Sequence, residues 1–532
     1  MERSYGIGLQ FFADFIERNA VYVDKTALVW ELAHEGGKHF FLSRPRRFGK
    51  SLLISTLQAY FEGRKELFKG LAIDALETEW TEYPVIRLDL SRGKYYELER
   101  LDSAVDSLLA EQENKWGIIP EDRFDYATRL NSVIRAAFQC TGRQVVVLID
   151  EYDAPMLDSL GNPALQDAIR ERIRGLFSPL KGEADHLRFV FLTGISKFSQ
   201  LSVFSELNNL NNISFNPKYD AICGISQEEL LTQLRPDIEQ MQPRLSARYH
   251  REISFDEVVA MLKDRYDGYH FSEQMTDIYN PWSLIYAFYE GNIKNYWFST
   301  GTPSSLLGLL KTARPLSVAE LEGVEASLEQ FDAPTERISD PIPVLYQSGY
   351  LTLKAYHPDK ETFSLGLPNT EVRVGFADSL YKYYADDTSG SRFQMAHAYR
   401  RLRWDHGSLD DFLKATAFWY AGLPYSVTDK NQNEQFYQAL FYALMVGVGA
   451  DVSAEQQTSD GRLDIALKLP DAIYILEFKL GKSAEEAVAQ IKAKNYAAAF
   501  AADGRSVWAV GLNIAPDRRT LDGTRVERLD QR

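Results

Sequence analysis

The stretch FFLSRPRRFGKSLL, Phe40 to Leu53, decides how the N-terminal half is read. It opens on an apolar run suited to a buried strand, closes on a helix-forming run, and carries Gly49-Lys50-Ser51 between them. That is the tail of the G-x-x-x-x-G-K-[ST] phosphate-binding pattern, in the strand, loop and helix context its mechanism needs. Backbone N–H groups of Arg46, Arg47, Phe48, Gly49, Lys50 and Ser51 would face phosphate oxygens, and the helix dipole would favour their charge. Lys50 would reach the β and γ phosphates of ATP, and the Ser51 hydroxyl would bind Mg²⁺. The first glycine of the pattern is replaced by Arg44, so Pro45 is expected to fix the turn instead. The side chains of Arg46 and Arg47 are expected either on phosphate or in solvent.

A phosphate loop hydrolyses nothing without acids supplied from further along the chain. VVVLIDEYD, residues 145–153, supplies them: Asp150 is placed to hold Mg²⁺ and Glu151 to polarise an attacking water. A third apolar run, FVFLTGISKFS, ends in Thr193, a candidate to sense the γ-phosphate, with Ser196 as the alternative. With HFFLS, YPVIRLDLS, QVVVLID and LRFVFLTG alternating with helical patterns such as RLNSVIRAAFQC and NPALQDAIRERIRGLF, the first 225 or so residues read as a parallel sheet covered by helices.

The set YVDKT, SRPRRFGKSLL, LIDEYD, FLTGISKFS, LNNL, YDGYHF, YNPWSL and WFSTGTP resembles the bacterial AAA-ATPase-like proteins, whose N-terminal region often precedes a nuclease-like domain. In that family the Pro-Arg-Arg segment is a usual form of the loop, which accounts for Arg44. Asp24 and Lys25 of YVDKT then fall where such folds place nucleotide-base contacts. On the residues alone, a helix cap at Asp24 and a solvated Lys25 are equally open.

Near the C-terminus, GRLDIALKLPDAIYILEFKL reads as a hairpin turning at PDA. Antiparallel pairing brings Asp464 to Glu477, and Lys479 shares a face with Glu477 two residues away. This Asp…Glu-x-Lys pattern resembles the PD-(D/E)XK nuclease superfamily. The resemblance implies a metal site at Asp464 and Glu477, with Glu434, at the start of the helix NEQFYQALFYALM, as a further metal-binding acid. Lys479 would orient or deprotonate the attacking water, and Gln490, in a helix over AEEAVAQIKAKNYAAAF, would support the site. Such carboxylates suit Mg²⁺, with Mn²⁺ as an alternative metal.

The expected organisation is α/β multidomain: an AAA-like P-loop core over 1–225, a helical lid region over 226–335, a stretch over 336–410, and a PD-(D/E)XK domain over 411–532. The stretch 336–410 reads as either a winged helix with a basic connector or a plain linker domain, from a helix IPVLYQSGYLTL and two strand-like runs around HPDKE. A length of 532 residues fits roughly three such domains.

A composition 45% hydrophobic and 25% charged, with mean hydropathy -0.30, is that of an ordinary globular protein. The net charge of -16 argues against nonspecific coating of nucleic acid while leaving room for a local basic site. Cys140 and Cys223 lie far apart with no ligand spacing, which excludes a zinc knuckle and fits a reducing compartment. No apolar run reaches membrane-spanning length, so a cytoplasmic protein without a membrane partner is expected. Nucleic acid, with DNA the leading candidate, and ATP are the expected partners. An arginine acting in trans from Arg170, Arg172 or Arg174 would require a homo-oligomer, and no choice among them follows from the sequence. Two functions stay open: an ATPase coupled to a nuclease acting in defence or mobile-element biology, or a nucleotide-switched regulator whose nuclease fold is silent.

Overall fold

Four largely buried apolar runs pair side by side as parallel strands. The computed structural model describes residues 4–159, 161–196, 210–297, 321–333, 341–385, 391–404, 408–423, 433–454, 457–458, 461–517 and 520–529. The strands are β1 (His39–Ser43), β2 (Val85–Asp89), β3 (Val145–Asp150) and β4 (Leu187–Gly194), joined by the short β5 (Asn211–Asn212). Their order is β2-β3-β4-β1-β5, with every pairing parallel. The β4 strand therefore runs between the phosphate-loop strand and the strand of acids. Ile86 and Leu88 of β2 join Val145, Val147 and Ile149 of β3 in one apolar core, closed by helices Leu98–Trp116, Tyr126–Thr141 and Pro163–Phe177. Each such large apolar side chain contributes about 1.5–3 kcal/mol on burial.

The chain divides into two units, one of residues 1–309 and 325–370 and the other of 310–324 and 371–532. In the first, two-residue strands β6 (Ile225–Ser226) and β7 (Ile278–Tyr279) tie together helices Gln227–Thr232, Arg235–Tyr249, Phe255–Tyr266 and Pro281–Glu290. The expected helix over IPVLYQSGYLTL stops at Gln347. Gly349 takes φ +85°, and Thr352 and Leu353 already belong to strand β9 (Thr352–His357). With β8 (Val324–Ser327) and β10 (Thr362–Gly366), β9 forms a three-stranded sheet of order β8-β10-β9, one strand more than the expected hairpin.

The second unit holds helices Thr370–Ala385, Ser391–Trp404, Leu409–Ala421 and Glu434–Gly447 and a five-stranded mixed sheet. Its strands are β11 (Val452–Ala454), β14 (Ile465–Lys468), β15 (Ala472–Leu480), β16 (Ser506–Ala515) and β17 (Thr520–Leu529), in order β11-β14-β15-β16-β17, while β12 (Gln457–Thr458) and β13 (Gly461–Arg462) pair separately. Only β15 and β16 run parallel, with the helix Ala484–Ala493 as their crossover. That helix is shorter than expected: Asn495 takes φ +44° and a 3₁₀ turn, Tyr496–Phe500, follows. No helix among the described residues is long and apolar enough to cross a membrane.

Candidate active sites

At the end of β1 the chain turns through the loop and enters the helix Lys50–Phe61. Arg47 at φ +69° and Gly49 at φ +95° make the turn, so the glycine-like backbone falls at Arg47 and not at the missing first glycine. Arg44 lies with its guanidinium inward and 2% exposed. Its Nη1 donates to the carbonyls of Ser43 at 3.0 Å and Ser214 at 2.9 Å, and its Nη2 to that of Tyr219 at 3.1 Å. The guanidinium also stacks 4.0 Å from the Phe271 ring centre. Arg44 is thus a core tie that holds the loop from beneath.

Residues outside the phosphate pattern clasp the same loop. The Phe48 ring packs at 4.8 Å against Tyr269 and 5.6 Å against Phe271, so its backbone is what it can offer a ligand. Trp297 Nε1 donates to the Arg46 carbonyl at 3.1 Å, and Arg47 lies 3.9 Å over the Trp282 ring. YDGYHF, YNPWSL and Trp297, which opens WFSTGTP, therefore converge on one turn. The rest of WFSTGTP, most of LNNL and the end of FLTGISKFS lie outside the described residues.

Lys50 Nζ donates to the carbonyls of Arg44 at 3.0 Å and Pro45 at 3.3 Å, and it pairs with Glu151 Oε1 at 3.2 Å. Glu151 sits at φ +49°, a conformation an L-residue holds only under constraint. Asp150 accepts hydrogen bonds from Ser51 and from Thr193 Oγ1, the latter at 2.9 Å. Burial, then the charge of Glu151, pushes the Asp150 carboxyl above its usual range, and the Ser51 and Thr193 hydrogen bonds oppose this. The Thr193 hydroxyl thus donates to Asp150, and Ser196 Oγ donates to Asp153 at 2.6 Å.

Asp153, not singled out in the sequence although LIDEYD contains it, is fully buried and also accepts the N–H groups of Ile195 and Ser196. It fixes the chain leaving β4. A Cβ at Gly194 would lie 2.6 Å from Asp153 Oδ1, which is why glycine ends that strand.

The loop, Lys50, Ser51 and Glu151 line a cavity of about 560 Å³, which Trp282 and Tyr286 also line. Both its size and its mixture of apolar walls with a few polar groups fit a small-molecule ligand. Lys25 also lines it, but its ammonium is buried in an ion pair with Glu229, so the expectation of a solvated lysine is corrected. The helix-cap reading of Asp24 is corrected as well: the helix Thr26–His34 has Lys25 at its N-cap, and Asp24, one residue earlier, accepts the Thr26 N–H on Oδ1 at 2.8 Å and the Ala72 N–H on Oδ2 at 2.7 Å. Arg170, Arg172 and Arg174 each pair with an acid of this chain, Asp167, Asp102 and Glu171 respectively.

In the second unit, register pairs Ile465 with Leu476, which sets Asp464 opposite Glu477. Asp464 Oδ2 accepts the Phe478 N–H at 2.8 Å. Glu477 Oε1 accepts from Lys479 Nζ at 3.0 Å and from Gln490 Nε2. Its Oε2 is buried without a hydrogen-bond partner. Burial, and next the facing charge of Asp464, raise the Glu477 carboxyl to about 7. Burial works to lower the Lys479 ammonium, but the charge and hydrogen bond of Glu477 outweigh it and the net shift is upward.

Glu434 opens its helix as expected, yet it faces Lys479 at 3.6 Å and accepts the Leu480 N–H at 3.2 Å. Among the described residues, no three acidic, His or Cys side chains stand close enough together to hold a metal ion. The residues that fit a cation are Asp464 and Glu477: an orphaned buried oxygen and a carboxyl raised by a like charge are both relieved by positive charge.

Residues 6–204 match the family model described as Predicted AAA-ATPase, and residues 432–523 the model of the PD-(D/E)XK nuclease superfamily. A relative from Azotobacter chroococcum mcd 1, described as "Uncharacterized protein in vnfD 5'region", is 34% identical over 538 residues and covers 98% of both chains. The chain belongs to the bacterial AAA-ATPase-like family with a C-terminal PD-(D/E)XK domain. Two solved Aeropyrum pernix structures align with this AAA-ATPase-like protein: ORC1 in complex with DNA, at 11% identity and TM-score 0.26, and ORC2 in ADPNP-ADP complexes, at 12% and 0.23. Each alignment covers 67% of this chain, and 91% and 93% of theirs.

Proposed function

We propose that the protein binds and hydrolyses ATP in its first unit and cuts nucleic acid phosphodiesters, with DNA the leading substrate, in its second. The observation that supports ATP chemistry most is that Lys50 and Glu151 meet at 3.2 Å on one cavity wall while Ser51 and Thr193 orient Asp150. Lys50 would hold the β and γ phosphates, Ser51 and Asp150 would hold Mg²⁺, which would supply charge neutralisation there, and Glu151 would take the proton of the attacking water.

In the second unit Asp464 and Glu477 would hold Mg²⁺ or Mn²⁺, which supplies charge neutralisation at the phosphodiester when bound. Lys479, kept cationic beside Glu477, orients the attacking water, and Gln490 fixes the Glu477 carboxylate. The resemblance implies a setting in defence or mobile-element biology.

One observation favours a second reading, a regulator with a silent nuclease fold: Glu434 is turned onto Lys479 and the Leu480 N–H instead of completing an acidic cluster. Cleavage of single- and double-stranded DNA and RNA, with and without ATP and with Mg²⁺ or Mn²⁺, separates the two. Metal-dependent cutting that Asp464→Ala and Lys479→Ala abolish supports the enzyme. Intact substrates under every condition, with binding retained, support the regulator.

A further inference from the structure

Arg87 lies in the middle of β2, where alternation sends Ile86 and Leu88 to the apolar core and Arg87 to the opposite face of the sheet. A guanidinium between a sheet and its covering helix is uncommon and is stable there only with partners for its donors. Arg87 has few. Nη1 donates to Gln58 Oε1 at 3.3 Å, Nη2 stands 3.8 Å from Asp150 Oδ2, and the group lies 5.1 Å from the Phe11 ring centre. Its Nε is buried without a hydrogen-bond partner. The side chain is 13% exposed, and it lines the same cavity as Lys50, Ser51 and Glu151.

The contact with Asp150 is longer than a hydrogen bond, so it is a loose electrostatic tether that a better anion can replace. Phosphate oxygens are such an anion, because the planar fork of arginine matches them two bonds at a time. Strand β2 flanks β3 on the side away from β4, so Arg87 approaches from the edge opposite Thr193. The arginines of the helix Pro163–Phe177 are each tied to an acid of the same chain, whereas Arg87 already faces the cavity.

We propose that Arg87 is a phosphate-contacting arginine supplied in cis: with ATP bound, it leaves Asp150 and donates to the terminal phosphate, offsetting the charge that develops as that group transfers. The inference rests on the ATPase reading above. It adds that turnover needs no arginine from a second copy.

The test uses the full chain and displacement of a fluorescent adenine nucleotide by ATP and by ADP, each with and without Mg²⁺, for wild type, Arg87→Ala, Arg87→Gln and Arg87→Lys. Expected is a loss of ATP affinity of about tenfold or more in the Ala and Gln proteins, with ADP affinity changed by less than about twofold and partial rescue by Lys. ATP turnover per wild-type chain is expected to stay constant as protein concentration rises. If ATP and ADP weaken alike, or neither changes, or turnover per chain climbs with concentration, the proposal is overturned. Should Arg87→Ala fail to fold, the Gln and Lys proteins carry the same comparison. Wild type that binds neither nucleotide overturns the ATPase reading itself, and this proposal with it.

Discussion

Lys50 and Glu151 form an ion pair at 3.2 Å across the mouth of the phosphate loop. Both have other work in the proposed reaction, so nucleotide binding must part them. The pair holds the general base against the loop, with the Glu151 backbone kept at φ +49°. Glu151→Gln weakens this competition for Lys50. It is expected to bind ATP about two- to fivefold more tightly than wild type, as for loss of a pair worth about 1 kcal/mol between the buried Lys50 and the partly exposed Glu151. Its turnover should fall at least about hundredfold. Nucleotide titration and phosphate release measure both, and unchanged turnover would remove Glu151 from the chemistry.

Arg44→Gly restores the usual phosphate-loop glycine and yet is expected to damage the protein. The guanidinium donates to the carbonyls of Ser43, Ser214 and Tyr219, and the turn needs its left-handed residues at Arg47 and Gly49, not at Arg44. The expected cost is on the order of 2–4 kcal/mol by chemical denaturation, because buried acceptors lose a charged donor. Equal stability with tighter ATP binding would show the arginine to be a mere departure from the pattern.

Metal affinity at the C-terminal site should depend on pH through Glu477. Its carboxyl is raised from 4.5 to about 7, so the fold favours the protonated form. The stability this contributes is present at low pH and is lost as pH rises through about 7. A cation competes with that proton, so Mn²⁺ affinity measured by calorimetry is expected to climb between pH 6 and 8, roughly. Gln490→Ala removes one of the two donors that hold Glu477 Oε1, leaving Lys479, and should lower that affinity without unfolding the unit. Affinity flat across this range would exclude Glu477 as a ligand.

The Lys25 and Glu229 pair ties the segment before the helix Thr26–His34 to the helix Gln227–Thr232. Lys25→Ala leaves the Glu229 carboxylate half-buried, with only its capping bond from the Ser226 N–H. A loss of about 3 kcal/mol is expected in equilibrium unfolding. Lys25→Ala with Glu229→Gln should recover part of it.

The parallel sheet was legible because strands buried on both faces read as unbroken apolar runs, as VVVLID does. The Asp464, Glu477 and Lys479 triad was legible because hairpin register follows from turn length. What escaped the sequence is set by partners far along the chain. The inward turn of Arg44 depends on carbonyls 170 and 175 residues away, and the burial of Lys25 on an acid 204 residues away. Strand β8 is short and pairs across a long gap, so local pattern cannot announce it. Helix ends were misjudged at Gly349 and Asn495, where single left-handed residues stop runs whose side chains favour a helix.

The central claim is that one chain carries two working sites, an ATPase and a metal-dependent nuclease. Its most direct test is one cleavage assay, run with and without ATP, on wild type, Lys50→Ala and Asp464→Ala. The account predicts Mg²⁺- or Mn²⁺-dependent cutting by wild type, ATP turnover without cutting by Asp464→Ala, and loss of any ATP effect on cutting by Lys50→Ala. Cutting that survives Asp464→Ala unchanged, or a wild type that turns over ATP and never cuts, would contradict it.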